Sequence, residues 1–93
     1  MHFTERLRPG IIAGEITTSV RIWKNLRVRL GGRYPMPPGE IEVTRIQEVD
    51  RYDITEAIAL SGGFESLEDL LKVAQHGSGS RVFLIDFLYR ERG

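Results

Sequence analysis

Thr17, Ser19 and Arg21 occupy every second position in the stretch GEITTSVRIWKNLRVRLGGRY, from Gly14 to Tyr34. In an extended strand, side chains two residues apart share a face. Two hydroxyls and a guanidinium then form one row of donors suited to a phosphate or a base edge. From Arg21 to Arg33 the same stretch carries five cations, Arg21, Lys24, Arg27, Arg29 and Arg33, and no acidic residue, in a chain whose formal net charge is zero. Cations gathered beside aromatic side chains, here Trp23 and Tyr34, are the ingredients for holding a phosphate-bearing or single-stranded ligand. Lys24, Arg33 and Tyr34 therefore join Thr17, Ser19 and Arg21 as candidate ligand-binding residues. Each has a plainer alternative. Arg21 can belong to a structural ion pair, the other cations can be a solvated strand face, and Trp23 and Tyr34 can fill core volume.

Asp86 interrupts the apolar run VFLIDFLY. An unpaired carboxylate in a buried strand is costly, so it needs a partner. Arg21, Arg45 or a backbone donor would serve, and the competing reading is a catalytic acid whose pKa is raised by burial. His2 and His76 stand far apart with no second ligand at metal spacing, so neither a metal site nor a cofactor is expected.

The elements that must position these groups follow from periodicity. Thr4 is placed to cap a short helix carrying Leu7, Ile11 and Ile12, with Pro9 tolerated early and Gly14 as a stop. The period then becomes two. Thr18, Val20 and Ile22 oppose Thr17, Ser19, Arg21 and Trp23, which reads as a half-buried strand. Leu26, Val28 and Leu30 against Arg27 and Arg29 repeat that pattern, and Gly31 with Gly32 supplies a turn into a short strand through Arg33 and Tyr34. Pro35, Pro37, Pro38 and Gly39 form a rigid turn before a longer strand of alternating Ile41 and Val43. Its parity breaks at Ile46, which a bulge near Thr44 and Arg45 would explain. Thr55 caps a short helix ending at Gly62 and Gly63. Ser66 with Asp69 forms a capping box for a helix whose stripe is Leu67, Leu70, Leu71 and Ala74, ended by His76, Gly77 and the Gly/Ser run to Ser80. Arg81 to Tyr89 then has the length and apolarity of a strand buried on both faces.

Ninety-three residues with 41% hydrophobic content suit one domain over residues 1–93 with one modest core. Zero cysteines exclude a disulfide framework and thiolate metal sites, and with no secretory pattern the expected location is cytoplasmic. No stretch approaches the roughly 18 apolar residues of a membrane span, so no membrane partner is expected. A pI near 6.7 gives no bulk attraction to nucleic acid, so any such binding must be local. Residues 52–80 carry one basic and five acidic side chains, whereas residues 1–51 carry nine and six. The helical insert is acidic and the strands are basic. About five short strands with Gly/Pro turns and two or three short helices predict an α+β fold built on a small barrel, because closure removes exposed strand edges.

The order helix, GEITTSVR, GlyGly turn, strand, an acidic helix pair ending in SLEDLLK and a last strand VFLIDF resembles the ASCH family, a group of PUA-like β-barrels. The resemblance spans about Phe3 to Phe87. Its signature is a glycine, a lysine two residues on and an arginine five beyond; Gly14 and Arg21 match, and the lysine position is Ile16. The resemblance implies a cleft for RNA or a nucleoside-like ligand. Some relatives are small amidohydrolases acting on an acetylated cytidine through the lysine, a threonine three residues later and a glutamate in the helical segment. Here those positions hold Ile16, Ser19 and Gly62, with Glu65 three residues beyond. An isoleucine can neither act as a base nor orient a hydroxyl. The expectation is therefore a binding module for single-stranded RNA or a nucleoside-like ligand. The alternatives are a small hydrolase of modified nucleosides or RNA, using Ser19 and Arg21 with Glu65 or Asp86, and a protein-interaction module using the acidic helices.

Overall fold

The apolar run near the C-terminus forms the central strand of the fold. In the computed structural model, which describes residues 1–74 and 79–91, this strand is β4 (Arg81–Glu91). It lies between β1 (Thr18–Trp23) and β3 (Gly39–Val49), with β2 (Arg33–Met36) beyond β3, so the sheet order is β1-β4-β3-β2 and every pairing is antiparallel. Phe83, Ile85 and Phe87 on one face of β4 are buried, whereas on the other Val82 is buried, Leu84 partly buried and Leu88 46% exposed, so the expected burial on both faces is met only in part. The sheet curls into a half-barrel carrying three short helices, which is the expected α+β, barrel-like architecture.

Four strands form among the described residues, against about five expected. The missing one is the alternating segment 26–30, which has no regular structure; Leu26 is 40% exposed and Leu30 67%. Only Val28 turns inward, joining a small apolar cluster with Trp23, Val43, Phe83 and Ile85. The loop is tied to β3 where the Gly31 N–H donates to the Val43 carbonyl and the Val43 N–H to that of Gly32, with Gly31 at a φ of +77° that favours glycine. Alternation alone did not distinguish a strand from a loop that inserts one side chain. The expected bulge does form: the β3–β4 register shifts between Val43 and Arg45, leaving Thr44 as the extra residue and restoring the facing of Ile46.

β1 is not half-buried. Val20, Ile22 and Trp23 are buried, and so are Ser19 and Arg21. Cross-strand partners share a face, which places Ser19 and Arg21 with Ile85 and Phe83, and Val20 and Ile22 with Leu84 and Val82. The start of the N-terminal segment, His2 and Phe3, lies against the first face. The segment runs through a 3₁₀ turn at Glu5–Leu7 into α1 (Arg8–Ile12), split there because Pro9 supplies no N–H to the first turn. Thr4 sits at the N-cap position without a side-chain capping bond. The Phe3 ring packs on Phe87 at 5.2 Å.

The second face is covered by α2 (Glu56–Ser61) and α3 (Leu67–Ala74). Thr55 caps α2 by accepting the Ile58 N–H, as its position predicts. At α3 the Ser66 hydroxyl accepts the Asp69 N–H, but the Asp69 carboxylate takes the Glu65 N–H rather than that of Ser66, so only half of the expected box forms. The expected end of α3 at His76 and Gly77 lies outside the described residues. The main core gathers Leu7 and Ile11 of the N-terminal segment, Val20 and Ile22 of β1, and Leu70 and Ala74 of α3.

Candidate functional site

β1 is an edge strand, and that position creates the site. Residues of both its faces, Thr18 and Val20 on one and Ser19 and Arg21 on the other, border a single cavity of about 210 Å³. A cavity can touch both faces of a strand only along its free edge. Its other walls are His2, Phe3, Thr4 and Leu7 from the N-terminal segment and Phe64, Val73 and Ala74 from the helical side. An antiparallel edge strand also turns alternate N–H and C=O groups away from its neighbour. Among the described residues β1 pairs only with β4, so this backbone edge faces the cavity.

Glycines allow the helical side to come close. Gly63 holds a φ of +87°, and a Cβ there would stand 2.5 Å from Ile16 Cδ1. A Cβ at Gly10 would stand 2.6 Å from the same atom. Ile16 is thus clamped between α1 and the α2–α3 connection, where it forms an apolar wall of the cavity. The groove is latched from outside. Arg6 Nη2 donates to both Asp69 carboxylate oxygens at 2.9 and 2.8 Å, and its guanidinium lies over the Phe64 ring. The bonds from the Glu65 N–H and from Arg6 hold the Asp69 carboxyl below its usual pKa.

Arg21 is the chemical centre of the cavity. It is 8% exposed, and its Nε donates to Ser19 Oγ at 2.9 Å while Nη2 donates to the His2 carbonyl at 2.6 Å. Its guanidinium sits 5.1 Å from the centre of the Phe3 ring. Every anchor is neutral. Among the described residues no carboxylate pairs with Arg21, and burial lowers its pKa to about 10. At neutral pH it therefore carries a desolvated positive charge that an entering anion would relieve. The expected ion-pair alternative for Arg21 is not what forms. Nor does Arg21 or Arg45 partner Asp86, which instead accepts the Thr18 hydroxyl at 3.1 Å.

Of the sequence candidates, the structure brings Ser19 and Arg21 together in the cavity. Thr17 lies just outside it, exposed, with its carbonyl accepting the Phe87 N–H; the hydroxyl that lines the cavity is that of Thr18. Lys24 is exposed beyond the end of β1. Arg33 and Tyr34 lie on β2, with β4 and β3 between them and β1. Arg33 is engaged by Glu40 and Glu42 at 4.0 and 3.7 Å, and the Tyr34 hydroxyl accepts the Arg29 N–H. Trp23 is 4% exposed and packs against Phe83, which favours its reading as core. Sequence reasoning missed His2, Phe3 and Phe64. A Phe3–Leu7 spacing of four was the only signal, and it reads equally as a helical core stripe.

Among the described residues no group of His, Asp and Glu could hold a metal ion, and no helix is long and apolar enough to cross a membrane. No family model, curated protein or solved structure matches the chain.

Proposed function

We propose that this protein is a non-catalytic module that binds RNA or a nucleotide-like ligand in the groove along β1. The observation that carries the reading is Arg21, a buried cation held only by neutral acceptors at the wall of a cavity. The cavity is of a size to take a single base. Its apolar walls and the Phe3 and Phe64 rings suit the faces of such a ring, and the β1 backbone edge offers donors and acceptors to the ring's polar rim. The resemblance to the ASCH family supports the same outline. Ile16 and Gly62, which stand at that family's lysine and acid positions, both line this cavity.

Binding is favoured over hydrolysis. The described lining residues include no carboxylate, Glu65 is exposed, and Asp86 is engaged by Thr18. Among the described residues no base hydrogen-bonds to Ser19, whose hydroxyl oxygen instead accepts a bond from the Arg21 cation. Titration with nucleosides, nucleotides and short single-stranded RNAs, followed by calorimetry, tests the proposal. Saturable binding to wild type that is lost in Ser19→Ala and in Thr18→Val supports it, and absence of saturable binding to every one of these ligands overturns it.

A further inference from the structure

Arg21 borders two hollows. Besides the base-sized cavity, a second hollow of about 160 Å³ is lined by Met1, His2, Arg21, Trp23, Arg27 and Val28. We propose that this second hollow is a phosphate subsite, so that the ligand class is a nucleoside carrying a phosphate monoester; this rests on the nucleotide-binding reading above. Arg21 and Arg27 both line it, and neither forms an ion pair among the described residues. Their combined charge matches the roughly −1.5 to −2 of a phosphate monoester near neutral pH, whereas the diester of an internal RNA linkage carries about −1. Trp23 and Val28 limit the water around such a group, which strengthens its attraction to the two guanidiniums. Arg21 makes one bond to Ser19 and one to the His2 carbonyl, and guanidinium has five N–H donors, so it can serve a ligand without giving up either anchor.

The two hollows differ in what they would read. The first is largely apolar and selects a ring, while the second is cationic and selects an oxyanion. Because Arg21 belongs to both, a ligand with a ring and a phosphate at the spacing of a mononucleotide uses one guanidinium for both parts. The phosphate itself could arrive free in solution or carried on a nucleoside.

Trp23 is the only tryptophan of the chain and lies at the second hollow, so its emission reports that hollow alone. Wild type, Arg27→Ala and Arg29→Ala are titrated with a nucleoside, its 5′-monophosphate and inorganic phosphate. The monophosphate should bind about tenfold more tightly than the nucleoside and should shift Trp23 emission. Inorganic phosphate should produce the same shift at higher concentration, which separates the free from the carried group. In Arg27→Ala, on an exposed loop, the two affinities should converge and the emission shift should vanish; in Arg29→Ala the gain should persist. Equal affinity of wild type for nucleoside and monophosphate overturns the subsite while leaving the nucleotide-binding reading standing. An emission shift with inorganic phosphate in a protein that binds the monophosphate no more tightly than inorganic phosphate overturns that reading and the combined ligand class with it.

Discussion

The two ends of the sheet carry similar numbers of cations and treat them in opposite ways. At the β2–β3–β4 end, Arg33 meets Glu40 and Glu42, Arg90 meets Glu42 at 3.0 Å, and Arg81 meets Glu48 at 2.7 Å. Along β1 and the loop after it, Arg21, Lys24, Arg27 and Arg29 form no ion pair among the described residues. The paired set is exposed and largely neutralised by its partners. The unpaired set includes the one arginine that is buried among the described residues. A run of cations in sequence therefore stays unpaired only where the fold withholds the carboxylates.

The comparison is broken most sharply at Arg21. Arg21→Met should weaken the nucleotide affinity about a hundredfold by calorimetry, since it removes a buried charge-assisted contact. The same change leaves no carboxylate orphaned, so the melting temperature should fall by only a few degrees, with about 1 to 3 kcal/mol at stake from the Ser19 and His2 bonds. A collapse of folding would mean that the charge is structural after all. By contrast, salt titration of a single-stranded RNA should show the unpaired loop contributing: Lys24→Ala should flatten the log–log salt slope by about 0.7, while Arg33→Ala and Arg90→Ala leave it unchanged. Equal effects from both groups would erase the distinction.

A smaller effect is expected at the latch. The Asp69 carboxyl is held below its usual pKa by the Glu65 N–H and by Arg6. Its contribution to stability is therefore complete above the ordinary aspartate pKa of about 3.9 and is lost as pH falls through the lower folded value. Asp69→Asn should lower the melting temperature at pH 7 and make the curve of melting temperature against pH flatter below pH 4. The smallest effect belongs to the paired end: Glu42→Gln should cost no more than about 1 kcal/mol by urea denaturation, as exposed ion pairs do.

Much of the fold was legible because local chemistry and tertiary packing agree there. The apolar run at Arg81–Tyr89 needed a central position and has it; the parity break at Ile46 needed one extra residue and Thr44 is that residue. Thr55 and Gly62 bound α2 as cap and stop. Segment 26–30 misled because a loop with one inserted valine shows the same alternation as a strand. The site was legible in part. Ser19 and Arg21, read from their spacing, both border the cavity, but Thr18 lines it in place of Thr17, and two strands separate Arg33 and Tyr34 from β1.

The sequence by itself determined which residues alternate, where the chain turns and that cations outnumber acids around β1, because these depend on neighbours a few positions apart. Only the tertiary structure decided that β1 is an edge, that residues of both its faces border one cavity and that, among the described residues, no carboxylate pairs with Arg21. Those outcomes depend on which strands lie side by side and on what the N-terminal segment covers, contacts between residues far apart in the chain that no local pattern encodes.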